Sequence, residues 1–362
     1  VSASLDDIRD EFRFEADGRR RVVLTTAALV ALLVLVALVS LTHGAIRVPG
    51  GRVADILVHA IATRGVNLGQ DAVVVIHIRL PRLFLAMMIG AALAVSGALM
   101  QGLFRNPLAD PGLAGVSAGA GLGAALAIVL GDRLPQEFAT LGSSLLPAAA
   151  FLGALAATWT LYFVATREGR TSVAIMLLAG VALAALASSF MGVFAYVSDD
   201  RQLRDLTFWS MGSLGGANWA KVAALAPIAG LMLAACPFLS RGLNALALGE
   251  AEAFHLGVRL QRLKAAIVFL VAIAVGASVA AAGVISFVGI VAPHAVRLIV
   301  GPDHRALLPL SVAGGAVLLA GADTLARTLV APAEMPIGVL TAAIGAPFFL
   351  WLLLARARDV GA

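Results

Sequence analysis

The sequence predicts an all-α polytopic membrane protein with about ten transmembrane helices. Two observations carry this. The 362 residues are 60% hydrophobic and 13% charged, with mean hydropathy +0.97, whereas soluble domains carry about 25% charge. The apolar residues also fall into runs near the ~20 residues that cross a bilayer, and little chain is left for a soluble domain.

In order, residues 1–21 read as a short amphipathic or disordered cytoplasmic tail. Its acidic start, and the long charge-free run Val22–Leu41 behind it, fit a retained anchor better than a signal peptide. Residues 22–358 form one transmembrane domain. The mixed connection Thr42–Arg82 contains "VADILVHAIA", an expected surface amphipathic helix, and ends with Pro81 at the first turn of the next helix. Helices are expected at Leu83–Phe104, Leu113–Leu130, Ser143–Thr166, Ser172–Val197, Trp219–Ser240, Ala265–Ala282, Val284–Val300, Ala306–Leu325 and Ile337–Ala355. The break "FRNPLADPGLAGVSAGAG" separates two of them. Thr166–Ser172 is a tight turn, and Ser198–Trp219 holds a short helix ending at Gly215-Gly216. Residues 241–264 form a helical connection in which Leu246, Leu248, Ala253, Leu256 and Leu260 can share an apolar face. Gly90, Ala94, Gly97 and Ala98 lie near one helical side, which allows close helix approach.

Sixteen of the 26 Lys and Arg residues lie on the side that holds the N-terminus, so both termini are expected in the cytoplasm. The basic balance reflects this bias; no basic run with interleaved aromatics suggests nucleic acid. No catalytic or metal site is expected. The single Cys236 has no partner for an intrachain disulfide, and the six histidines lack metal-ligand spacing. "GVSAG", Gly115–Gly119, matches the nucleophile-elbow pattern formally but lacks a preceding strand. Neither Lys221 nor Lys264 completes a P-loop, so ATP would have to bind another chain. His294, beside Pro293, suits either function or a kink. Asp323 is the only acid deep in an expected helix and lies near its outer end, which argues against an ion-coupled transporter.

From Arg79 onward, "RLPRLFLAMMIGAALAVSGALMQGLFRNPLADPGLAGVSAGAG", "LALGEAEAFHLGV", "GVISFVGIVAPHAVRLIVGPDHRALLPL", "GADTLAR" and "EMPIGVLTAAIGAPFFLWLL" resemble the FecCD/BtuC-type permeases. These are membrane subunits of type II ATP-binding cassette importers for iron-siderophores, haem and cobalamin. The resemblance implies a BtuC-like fold in the bacterial inner membrane and a homodimer around a central pathway. Two cytoplasmic ATPase subunits, carrying ATP and Mg, and a periplasmic substrate-binding protein complete it. The permease itself would be no enzyme and would hold no permanent cofactor. The resemblance implies that Arg79, Arg82 and Arg327 dock carboxylates of the binding protein. Asn106 and Leu108, with Thr171 and Ser172, would form the cytoplasmic gate. Leu248, Gly249, Glu250, Ala253, Leu256 and Gly257 would couple to the ATPase.

"YVSDDRQLRDLTFWSMGSLGGANW" looks most like the haem-transporting branch, with ferric siderophore or cobalamin as the alternative cargo. On that reading Arg201 and Arg204 meet propionates. Phe190, Met191, Phe194, Trp209 and Met211 line an apolar way. Arginines in water and packed apolar side chains are the competing interpretation.

Overall fold

Glycine-on-glycine contacts set the spacing of this helical bundle. The computed structural model describes residues 5–44, 46–63, 69–133 and 142–360. Its helices are α1 (Leu5–Thr42), α2 (Gly50–Thr63), α3 (Gln70–Val73), α4 (Leu80–Phe104) and α5 (Val116–Leu130). Then come α6 (Leu145–Ala165), α7 (Val173–Val197), α8 (Asp200–Ser210), α9 (Trp219–Leu248) and α10 (Glu250–His255). The last four are α11 (Leu260–Ala282), α12 (Val288–Val300), α13 (His304–Ala326) and α14 (Ile337–Val360). Seven helical stretches are long and apolar enough to cross a membrane; α5, α12 and part of α14 are shorter apolar helices.

Helix α4 is the axis, packing against α9, α11, α12 and α13. A Cβ on Gly90 would strike the Gly315 carbonyl of α13, and one on Gly97 would strike the Gly289 carbonyl of α12. The small-residue side therefore serves two neighbours. Gly119 and Gly123 of α5 make the equivalent approach to Gly153 and Ala149 of α6. Lipid tails are as apolar as leucine, so close backbone packing and polar contacts hold such helices together.

Several boundaries differ from expectation. The tail and anchor form one helix from Leu5, because nothing in "DGRRRVV" stops it. Helix α1 lies at the edge, touching α13 and α12. Pro81 does not open a helix: the chain is helical from Gln70 and passes through a π segment, Val74–Arg79, into α4. The wider turn relaxes the ladder just before a residue with no N–H. α2 is amphipathic, burying Val53 and Ile56. Helix α8 stops at Ser210, before the two glycines, as Gly212 turns left-handed at φ +69°.

The Thr166–Ser172 turn is a two-stranded hairpin, β1 (Thr166–Arg167) with β2 (Arg170–Thr171). Glu168 and Gly169, both at positive φ, supply the turn whose twist suits a hairpin. The break after α4 is closed locally. Arg105, left-handed at φ 48°, ends α4, with Asn106 N–H donating to the Gln101 carbonyl and Arg105 N–H to Gly102. Asn106 Oδ1 accepts from Leu108 N–H at 3.0 Å, and Asp110 Oδ1 from Gly112 N–H at 2.6 Å. Burial pushes the Asp110 carboxyl upward, and the Gly112 N–H opposes it.

A second break, Gly283–Phe287, separates α11 from α12. Its leading edge is stitched to the segment after α8, where Ser213 N–H donates to the Ala282 carbonyl. That segment is tied in turn to the start of α14, where Gly338 N–H donates to the Met211 carbonyl, and both Gly212 and Gly338 pack against the Val284 carbonyl. Irregular backbone at membrane depth is tolerated where protein satisfies it in this way. "GVSAG" lies at the start of α5 after a 3-10 turn, with no strand before it.

Candidate functional site

Polar clusters occupy opposite ends of the bundle. At the end holding the α1 C-terminus, Arg79, Arg82 and Arg327 converge, drawn together by the π segment, α4 and the end of α13. All three are buried, between 4% and 7% exposed. Arg82 reaches Asp323 at 2.9 Å through Nη2 and Glu334 at 2.9 Å through Nη1. Arg327 Nε lies 3.6 Å from Asp323, while its Nη2 donates to the Ser40 carbonyl at 2.5 Å. Arg79 donates to the carbonyls of Leu41 and Ile46. The expected open forks are thus already engaged within the chain, since a buried guanidinium needs partners. Three cations against Asp323 and Glu334 leave one net positive charge. A cavity of about 170 Å³ bordered by Gly44, the three arginines and Glu334 opens onto the cluster. Glu334 is its accessible member, 47% exposed. Sequence reasoning missed this residue because its partner Arg82 lies 252 positions away.

At the other end, α10 projects between α9 and α11. Gly249, at φ +132°, makes the corner; a Cβ there would meet the Glu252 carboxylate. Leu248, Phe254 and Leu256 stand 64–69% exposed, whereas Ala253 and Leu246 are buried. The anticipated single apolar face is therefore divided: one part anchors the element and the other protrudes. Phe254 was not singled out from sequence, although its position beside buried Ala253 marks the outward side.

The β1–β2 hairpin and α10 are joined by Lys264 of α11. Only 1% exposed, its ammonium donates to the Thr171 carbonyl at 2.9 Å and to Glu250 Oε1 at 2.8 Å. Gln261 accepts from Thr171 N–H at 2.9 Å. Ser172 caps α7 by accepting from Ile175 N–H. Asn106 and Leu108 form the partly accessible lip of the other loop at this end.

The expected pathway residues are dispersed. Met191 packs toward α5, where a Cβ on Gly121 would lie 3.0 Å from its sulfur. Trp209 packs on the core, and Met211 accepts the α14 N–H described above. Phe190 is 48% exposed, Phe194 is half-buried, and Arg201 and Arg204 are exposed. Ser188, Ser189 and Gly192 also lie on uncovered surface of α7. His294 is buried in α12 against Phe348. Among the described residues, no group of three His, Cys, Asp or Glu is placed to hold a metal.

The FecCD transport family matches residues 32–355. The hemin transport system permease protein HmuU of Yersinia pestis is 46% identical over 94% of this chain and 98% of its own length. The cobalamin import system permease protein BtuC of Halobacterium salinarum is 41% identical over 95% of this chain and 92% of its own. A solved inward-facing metal-chelate type ABC transporter superposes with TM-score 0.75 at 32% identity, covering 91% of this chain and 98% of that one. With the multi-pass bundle and its α10 projection, these similarities place the chain in the FecCD transport family, as a permease of the ABC-importer type.

Proposed function

We propose that this permease carries haem from periplasm to cytoplasm as one half of a homodimer. The observation that carries the cargo is the end-to-end 46% identity to a hemin permease. Cobalamin is the second reading, favoured by the cobalamin permease that matches over 95% of the chain. The Lys and Arg bias supports cytoplasmic termini in the inner membrane, with the α10 end inside.

On this reading Leu248, Phe254 and Leu256 seat on a separate ATPase, and ATP binding there moves α10. Lys264 passes that movement to Thr171 and so to the hairpin. Nucleotide must favour one state over the other for this to shift the gate. At the outer end a binding-protein carboxylate exchanges with Glu334 for the Arg82 fork, while Asp323 keeps the guanidinium in place. Ser188, Ser189 and Gly192 of α7 suit the pathway wall facing the second copy.

Proteoliposomes holding the permease, its ATPase and its binding protein test the cargo. ATP-dependent uptake of haem, with cobalamin and a ferric siderophore at background, is the expected result. Cobalamin uptake without haem uptake overturns the assignment.

A further inference from the structure

We infer that the groove between α9 and α13 is a binding site for an anionic phospholipid of the leaflet at the α10 end. Two cavities lie end to end along it. One, about 280 Å³, is wholly apolar and is bordered by Met87, Ala229, Met232, Leu233, Ala313 and Ala316. The other, about 370 Å³, shares Leu233 and ends on Ser240, Arg241, His304 and Arg305. The apolar-to-basic order along the groove is that of a phospholipid, tail to head.

The dimensions agree. Ala229 to Arg241 is twelve residues of helix, about 18 Å at 1.5 Å per residue. Half of a roughly 30 Å hydrocarbon core is about 15 Å. From Ala229 to Arg241 the groove thus covers about one leaflet and sets its two arginines at headgroup depth, while its apolar end continues past Ala229 toward Phe84. Helix α9 is turned to lipid along this length, with Leu231, Leu233 and Phe238 between 50% and 84% exposed. Pro237 and Pro309 border the basic cavity from the two helices. A proline cannot donate an interior ladder bond, and its ring displaces the preceding turn, so the pair holds the helices apart here.

Charge complementarity selects the headgroup. Arg241 and Arg305 are both exposed. The nearby Asp303 carboxylate is occupied as the α13 cap: it accepts from Arg305 N–H at 2.9 Å and from Asn244 Nδ2 at 2.6 Å. Burial favours its neutral form, but those two bonds and the charge of Arg305 hold it below the usual carboxylate range. His304 Nδ1 lies 2.8 Å from Asn244 Oδ1, which fixes the imidazole as the inner wall. Basic pockets between helices at this depth attract phosphate headgroups. The fused apolar trough distinguishes a lipid from free phosphate.

Native mass spectrometry of the delipidated full-length protein in neutral detergent tests the site. Phosphatidylglycerol, phosphatidylcholine of the same chains and inorganic phosphate are titrated separately. Phosphatidylglycerol is expected to be retained about tenfold more tightly than phosphatidylcholine, in line with two arginines at an anionic headgroup. Arg241→Gln with Arg305→Gln should erase that preference, and Ala313→Phe should weaken both lipids by filling the trough. Thermal denaturation identifies any variant that has lost its fold; the comparison of the three ligands on the unaltered protein stands regardless. Equal retention of the two lipids, an unchanged preference in the double variant, or inorganic phosphate binding as tightly as phosphatidylglycerol would overturn the proposal.

Discussion

The two buried cations that matter most at the residue scale are Arg82 and Lys264, and they differ in what they hold. Arg82 bridges Asp323, fully enclosed, and Glu334, half-exposed. Arg82→Gln leaves Asp323 buried without its main partner, a loss of about 3–5 kcal/mol by precedent for broken buried pairs. A lowered unfolding midpoint in detergent would register it. Glu334→Gln should be benign to the fold and should raise affinity for the binding protein, because it removes the internal competitor for the fork. Unchanged affinity by surface plasmon resonance would count against exchange at that fork. Lys264→Met deletes both donations that join α10 to the hairpin. Coupling changes of about 0.5–2 kcal/mol are usual for such intermediates. ATP hydrolysis by the assembled transporter should persist while cargo moved per ATP falls about two- to thirtyfold; an unchanged ratio contradicts the strut role.

Elements pack here by what they lack. A Cβ on Gly97 would run into the Gly289 backbone, which has no rotamer with which to yield. Gly97→Ala should therefore cost about 3 kcal/mol, the upper part of the overpacking range. Gly230, on the open side of α9, meets nothing within 4 Å. Gly230→Ala should stabilise by up to about 1 kcal/mol through helix propensity. Thermal unfolding of the two variants side by side checks both signs. The small-residue side of α4 is visible in sequence because helical periodicity is local. Its division between α12 and α13 is not, because partner identity depends on contacts some 200 residues away. The π segment was also hidden: Pro81 at the end of a mixed connection reads equally well as a helix start. The outward turn of Phe254 could be read only once Gly249 had fixed the corner.

At the scale of the whole molecule, the ten apolar segments follow from composition, and among the described residues each is a helix, seven of them long enough to cross a membrane and three shorter. What pattern does not supply is which surfaces meet lipid and which meet a second copy, since both are apolar. Helix α7 illustrates this: Leu178, Val181 and Leu186 are 55–72% exposed, yet Ser188, Ser189 and Gly192 share its uncovered length. If the second copy faces that surface, Ser189→Cys should give a crosslinked dimer with a short bifunctional thiol reagent in the membrane. A parallel Leu231→Cys change on α9 should not. Buried Cys236 is the only native thiol, which simplifies the readout.

Helices α5 and α12, of 15 and 13 residues, each follow an irregular stretch. At 1.5 Å per residue they extend about 22 and 20 Å, against roughly 30 Å of hydrocarbon. The insulating layer is thin beside both breaks. With Asn106 and Leu108 as the proposed gate, a large share of the transmembrane voltage would fall across the thin layer beside the first break. A small fault at that lip would leak protons long before it passed cargo, so membrane depolarisation is the more sensitive measure of a damaged gate.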